Sequence, residues 1–143
     1  MEVKNKKAYF DYFVEREIEA GIVLTGTEIK SVRKGSVDLK DSYARIRHKE
    51  AEVINMYIAK YEEGNRFNHD ERRTRKLLLH KNEINKIYNE ISLTGYSLIP
   101  LKLYFKKDKA KLLLGICKGK KNYDKREVIK KRDLDRESKR LEY

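Results

Sequence analysis

Few side chains in this sequence have the type and spacing to do covalent chemistry. Glu15, Glu17 and Glu19 alternate, so on a strand they would share one face and offer the clustered carboxylates that hold Mg²⁺ in many hydrolases. The competing reading, a solvated strand face neutralised by neighbouring lysines, is the stronger one, because nothing nearby supplies a nucleophile. His48, His69 and His80 fall in unrelated segments without ligand spacing and without a Ser or Cys motif beside them, so each reads as a surface or loop histidine. Cys117, the single cysteine, has no companion for a disulfide or a thiolate metal site and reads as a small buried hydrophobe. The stretch Gly115-Ile116-Cys117-Lys118-Gly119-Lys120-Lys121 begins like a phosphate loop. It is one residue short of the Walker spacing, lacks the Ser/Thr and precedes no apolar helix, so nucleotide hydrolysis is rejected. The expectation is a protein that is not an enzyme and uses no metal and no cofactor.

The remaining chemistry is binding. The chain has 143 residues, with 35 Lys plus Arg against 23 Asp plus Glu and a formal net charge of +12. Such a balance favours a polyanionic partner. Basic residues concentrate at 30–34, 66–76 and 118–131, with Tyr43, Tyr57, Phe67 and Tyr123 close by in sequence. Lysine and arginine neutralise phosphates while aromatic faces stack on bases, so nucleic acid is the expected partner class. No apolar run reaches the 18 to 20 or so residues that span a bilayer. The N-terminus Met1-Glu2-Val3-Lys4-Asn5-Lys6-Lys7 has no apolar stretch of the signal-peptide kind, and the lone cysteine fits a reducing compartment. Together these predict a cytoplasmic protein that does not act at a membrane.

The elements that must position these groups can be outlined from periodicity. Residues 9–24 read as a bent opening strand, interrupted near Gly21. Thr25-Gly26-Thr27-Glu28 has capping-box spacing, and Ile29 with Val32 give a helix of about two turns ended by Gly35. Residues 42–47 and 52–60 have strand chemistry and should pair antiparallel across a turn at His48-Lys49-Glu50-Ala51. Residues 61–75 show no period and are dense in charge, which reads as a long exposed loop. Ile84, Ile87, Tyr88 and Ile91 then form one apolar helical face, with Gly95 as its terminal cap. A second hairpin follows, Leu101, Leu103 and Phe105 leading across Lys107-Asp108-Lys109 to Leu112, Leu114 and Ile116. Pro100, the only proline, suits the start or the edge of that strand.

Composition changes at Lys118. From there to Tyr143 there are 11 Lys plus Arg against six Asp plus Glu and few apolar side chains, too few for a core. Acid-first pairs at four-residue spacing, Glu127 with Lys131 and Asp135 with Lys139, make the tail helix-competent, but about 1 to 2 kcal/mol of backbone entropy per residue exceeds what they return. The tail is expected to be disordered when free and helical when bound. The reading is therefore a mainly β fold, a closed antiparallel OB-like barrel of about six strands with two to three flanking helices, in which 1–121 form the barrel domain and 122–143 a flexible basic tail.

Several stretches resemble the SsrA-binding protein (SmpB) family specifically. They are Glu19-Ala20-Gly21-Ile22, Gly26-Thr27-Glu28-Ile29-Lys30-Ser31-Val32-Arg33, Asp41-Ser42-Tyr43, Arg75-Lys76-Leu77-Leu78-Leu79-His80, Pro100-Leu101 with Tyr104-Phe105, and Lys118-Gly119-Lys120-Lys121 running into Tyr123-Asp124-Lys125-Arg126. They occur in family order from residue 5 nearly to the end. The resemblance implies an OB-like barrel that binds the tRNA-like domain of transfer-messenger RNA in place of an anticodon arm. It also implies delivery of that RNA to the A site of stalled ribosomes in trans-translation, alongside elongation factor Tu on the charged RNA.

By the same resemblance Asn5, Glu19, Leu78 and His80 match positions that contact or shape the tRNA-like domain, and Tyr12, Lys30, Arg33 and Tyr43 lie in matching stretches nearby. Bland alternatives stand beside these roles: Leu78 as core, Tyr12 and Tyr43 as barrel aromatics, Glu19 as half of an ion pair. The family tail implies entry into the empty mRNA channel of the ribosome. There Tyr123 would stack on a base of the small-subunit decoding centre, where relatives carry His or an aromatic, beside Asp124, with Lys125, Arg126, Lys130, Lys131 and Arg132 on phosphates. Two departures stand out: Tyr9-Phe10 replaces an Arg-His pair, and Glu71 stands where many relatives have proline. The rival reading is a generic single-stranded RNA-binding OB-type module, of cold-shock or ribosomal-protein type, that shares the barrel but not the partner.

Overall fold

The computed structural model describes residues 1–62, 68–93 and 95–120. In chain order the elements are β1 (Glu2–Lys4), α1 (Lys6–Asp11), β2 (Tyr12–Ile22), α2 (Gly26–Arg33), β3 (Val37–Asp38), β4 (Tyr43–Arg47), β5 (Glu50–Ile54), β6 (Tyr57–Ile58), β7 (Arg75–Leu78), α3 (Lys81–Ile91), β8 (Tyr96–Lys106) and β9 (Lys109–Gly119). The fold is mainly β with a few helices, as expected. Residues 122–143, with the whole proposed tail site, lie outside the described residues, as do Arg66 and Phe67 of the central basic cluster.

A seven-stranded sheet runs β1-β8-β4-β5-β7-β2-β9, and β9 pairs again with β8, so hydrogen bonding returns to the strand near which it began. One face of these strands carries Ile18, Val53, Leu77, Leu98, Leu103, Leu112, Leu114 and Ile116 into a single core, closed from α2 by Val32 and from α3 by Ile87. A smaller cluster on the other face packs Ala8 of α1 against Ile99, Leu101 and Cys117. Truncating a core leucine such as Leu114 would cost about 2 to 5 kcal/mol.

The helices form where local chemistry says. Thr25 caps α2 by accepting from the Glu28 N–H at 3.3 Å while Glu28 accepts from the Thr25 N–H at 2.8 Å, the reciprocal capping box. The helix ends as Gly35 (φ +75°) donates to the Val32 carbonyl at 2.9 Å and Ser36 to that of Ser31 at 3.0 Å. In α3, Ile84 and Ile87 are buried, but Tyr88, expected on the same apolar face, is 55% exposed. Arg16 of β2 fixes the helix from its C-terminal half, its Nε donating to Glu90 at 3.1 Å.

Both hairpins turn more tightly than their sequences announce. Arg47 pairs with Glu50 and Lys106 with Lys109, leaving two-residue loops, His48-Lys49 and Lys107-Asp108, with all four residues at positive φ. The opening segment differs from expectation. It contains β1 and α1 before the strand, and β2 runs unbroken through Gly21; its irregularity is a register shift between Val14 and Arg16. Pro100 sits in the middle of β8, not at its start, at a second register shift. There the strand's other side passes from β4, at Leu98, to β1, at Lys102, so no partner asks for the missing N–H.

Candidate nucleic-acid interface

The shift in β2 decides which side chains share a surface. Tyr12 and Glu19 are seven residues apart, which in a regular strand puts them on opposite faces. Tyr12 pairs with Gly119 and Glu19 with Leu113, an even spacing on β9, so the extra residue turns both to the same outer face. Leu78 pairs with Gly21 and Tyr43 with Ile54, each one step out of phase with the buried Leu77 and Ala44, so they look outward too. The same shift breaks the expected row of three carboxylates. Glu15 turns to Tyr96, which donates to it at 2.8 Å, and lies 3.7 Å from Lys118, whereas Glu19 accepts from Tyr104 at 2.5 Å and lies 3.5 Å from Lys106.

Around α1 the outer face forms a cleft of about 260 Å³ lined by Asn5, Lys7, Asp11, Tyr12, Asp41 and Tyr43 among others. Asn5 shapes it from within. Only 4% exposed, it accepts from the Ala8 N–H at 3.1 Å as the cap of α1 and donates to the Pro100 and Leu39 carbonyls at 2.8 and 3.1 Å. Its amide is fully used inside the protein. Lys7 bridges to Asp41 at 2.8 Å across the rim. Burial, then the charge of Asp11, pushes the Tyr12 phenol above its ordinary value, so it stays a neutral donor. Tyr43 is exposed beside it.

A second outer surface surrounds Leu78, which is 54% exposed. Gly21 makes room for it: a Cβ there would lie 3.2 Å from the Leu78 Cβ. Leu78 lines a groove of about 320 Å³ with Val23, Ile29, Phe105 and Lys109. Arg33 of α2 reaches this groove by lying 4.6 Å from the Phe105 ring centroid. Lys30 and Lys34 instead face Tyr61, at 5.4 and 4.8 Å. The Tyr104 hydrogen bond and Lys106 hold the Glu19 carboxyl below its ordinary range, and burial with Glu19 raises Tyr104. His80 is exposed two residues past Leu78 as the N-cap of α3, its N–H donating to Glu83 at 3.1 Å. Of the eight expected contact residues, Lys30 faces Tyr61 and the others gather around two surfaces rather than one pocket.

Sequence reasoning missed a buried polar hub. Glu28, known from sequence only as half of a capping box, is 0% exposed and faces two arginines: Arg73 donates to it at 2.7 Å, and Arg75, also 0% exposed, donates through Nε. Arg75 also donates to the carbonyls of Met56 at 2.6 Å, Glu71 at 3.2 Å and Asp70 at 3.3 Å. It therefore ties Met56, Asp70 and Glu71 to Glu28 of α2 and is not a free phosphate ligand. His69 is buried rather than a surface histidine, bonded to Thr27 Oγ1 at 2.9 Å and the Ile58 carbonyl at 3.0 Å. Burial opposes the Glu28 charge, but Arg73, the Thr25 N–H and Arg75 outweigh it and hold the carboxyl below its ordinary value. The T-x-x-E and R-K-L-L-L-H blocks each held one half of this pair, and nothing in the sequence joined them.

Gly115, first residue of the apparent phosphate loop, lies inside β9, where a Cβ would meet Leu101 Cδ1 at 2.7 Å. Burial pushes the Cys117 thiol up to about 12, with Glu15 and Glu17 adding to the effect, so it stays protonated and unreactive. Among the described residues no group of His, Cys, Asp and Glu could hold a metal ion, and no helix is long and apolar enough to cross a membrane.

Comparison with known proteins agrees over nearly the whole chain. The model of the family described as SmpB protein matches residues 2–142. An SsrA-binding protein of Shouchella clausii is 56% identical over 137 residues, covering 96% of this chain and 88% of that protein. One from Bacillus subtilis is 58% identical with the same coverage. A solved structure described as "tmRNA-SmpB: a journey to the center of the bacterial ribosome" superposes with a TM-score of 0.72 at 46% identity, covering 83% of this chain and 84% of that one.

Proposed function

The chain belongs to the SmpB protein family, and from that premise we propose that it binds the tRNA-like domain of transfer-messenger RNA and brings it to the A site of stalled ribosomes. The observation that carries this reading is 56% to 58% identity to SsrA-binding proteins across 96% of the chain. Geometry supports it: the shift in β2 puts Tyr12 and Glu19 on one outer face with Tyr43 and Leu78, two exposed side chains that the core does not need. A folded RNA is wide enough to touch both the Tyr12–Tyr43 cleft and the Glu19–Leu78 edge, with Arg33 and His80 at the margin of the second and Lys30 beyond it, over Tyr61. Asn5 acts by shaping the cleft.

The return of pairing from β9 to β8 supports reading the sheet as a closed OB-like barrel, with 1–121 as the RNA-binding domain. Residues 122–143 are the arm that enters the mRNA channel, Tyr123 stacking on a decoding-centre base and Asp124 to Arg132 following. The protein works in the cytoplasm with elongation factor Tu on the same RNA, and it catalyses no reaction.

At matched salt, the chain should prefer the tRNA-like domain to an unstructured oligomer of equal length; equal affinities would favour the generic single-strand reading. Deleting 122–143 should spare that affinity and abolish peptide tagging on stalled ribosomes, and Tyr123→Ala should damage tagging more than Tyr123→His.

A further inference from the structure

Two lysines at the surfaces assigned to RNA are balanced by carboxylates, Lys7 by Asp41 and Lys106 by Glu19. Between those surfaces stands a pair that is not. Val3 of β1 and Leu103 of β8 are paired and turned toward the core, so the next pair, Lys4 with Lys102, stands on the outer face. The Asn5 N–H donates to the Leu101 carbonyl at 2.8 Å, which makes Lys4 and Lys102 a non-hydrogen-bonded pair, the closer of the two kinds, with Cα atoms about 4.5 Å apart. Like charges so placed repel. The Lys4 ammonium lies 5.0 Å from the Tyr9 ring centroid, which orders it without neutralising it. Among the described residues neither lysine has a carboxylate within ion-pair distance, Glu2 on the same face included.

The register carries this pair across the sheet. Lys102 is opposite Leu113 of β9 and Leu113 is opposite Glu19 of β2, so Lys4, Lys102, Leu113 and Glu19 form one row over four strands, about 14 Å long. One end of the row adjoins Asn5, which shapes the Tyr12–Tyr43 cleft, and the other is the Glu19–Leu78 edge. An RNA that touches both surfaces lays its backbone over this row. We propose that Lys4 and Lys102 together clamp a phosphodiester group of that RNA and so join the two surfaces into one footprint. The phosphate brings the negative charge that the fold itself does not supply. An acidic protein segment would also balance the lysines, but continuity with an RNA surface at both ends of the row selects the phosphate. The proposal rests on the tRNA-like-domain reading and deepens it with two residues outside the stretches that resemble the family.

The test is fluorescence anisotropy of the full chain with labelled tRNA-like domain over a salt series, run beside a ten-nucleotide oligouridine. Lys4→Gln and Lys102→Gln should each lower the slope of log affinity against log salt for the tRNA-like domain by about 1, and the double variant by about 2, with a smaller loss for oligouridine. Lys102→Arg should keep the slope. Lys102→Glu, which sets opposite charges across the pair, should hold or raise Tm while weakening the tRNA-like domain more than Lys102→Gln does, so that binding is separated from folding. An unchanged slope in the double variant would overturn the clamp. So would an equal loss of slope for oligouridine, the mark of a general basic surface, or a lowered Tm in Lys102→Glu, which would give the pair to the fold. Failure of the parent chain to bind the tRNA-like domain at all would instead overturn the family-based function.

Discussion

Two carboxylates, Glu28 and Glu19, both hold their charge below the ordinary range, but they do so for opposite ends. Glu28 is sealed from water and spends its charge on Arg73 and Arg75, which ties Met56, Asp70 and Glu71 to α2. Glu19 sits on the outer face with Tyr104 and Lys106, beside a leucine that is more than half exposed. The first region converts ionic groups into architecture, while the second leaves polar and apolar groups in the open at the cost of burying less. Basic residues close in sequence therefore divide between the two: Arg75 belongs to the hub, whereas Lys76, the next residue, is exposed.

Removing one member of the hub should produce the largest effect. Arg75→Met leaves Glu28 buried with one partner fewer and strips donors from three carbonyls, so denaturant unfolding should show a loss of about 3 to 5 kcal/mol. The pH dependence sharpens the point. Glu28 has a folded pKa lowered from its unfolded value, so its contribution is complete above about pH 4.3 and is lost as pH falls through the lower folded value. In a pH-resolved thermal melt, Glu28→Gln should be less stable than the parent at neutral pH and should lack that acid-side slope.

Overpacking comes next. Gly115→Ala forces a methyl against the buried Leu101 and should cost about 1 to 3 kcal/mol in the same unfolding assay. The smallest stability effect belongs to the outer face: Leu78→Ala should lose less than about 1 kcal/mol, since half of the side chain is already in water. Its binding to the tRNA-like domain should nonetheless fall several-fold. If Leu78→Ala destabilised the fold as much as Arg75→Met, the two regions would not be different in kind.

Much of the scaffold was legible in the sequence because local chemistry specified it. The reciprocal Thr25–Glu28 cap, Gly35 as a left-handed terminator, and Ile84 and Ile87 at helical spacing are signals within one turn of chain. The hairpins are visible from alternation, but the tightness of their turns is not, since His48-Lys49 and Lys107-Asp108 lack the Asn-Gly signature of two-residue loops. The six residues of α1 were lost because aromatic Tyr9 and Phe10 read as strand, and the cap that starts the helix, Asn5, is stabilised by carbonyls far away in sequence. Arg75, His69 and the shift at Val14–Arg16 were hidden for the same reason. Each depends on a partner brought near only by the fold, and alternation counted across an extra residue gives the wrong face.

The amide of Asn5 reaches a carbonyl 95 positions downstream, and the strands on either side of it behave alike: β1 waits for β8, and β2 waits for β9. During synthesis the earliest segments therefore emerge with no ladder to join, and a chain cut before residue 109 would lack the strand that flanks most of β2. A message truncated late in this coding region would yield a product with exposed edges rather than a smaller working version, so this fold is completed nearly all at once or not at all.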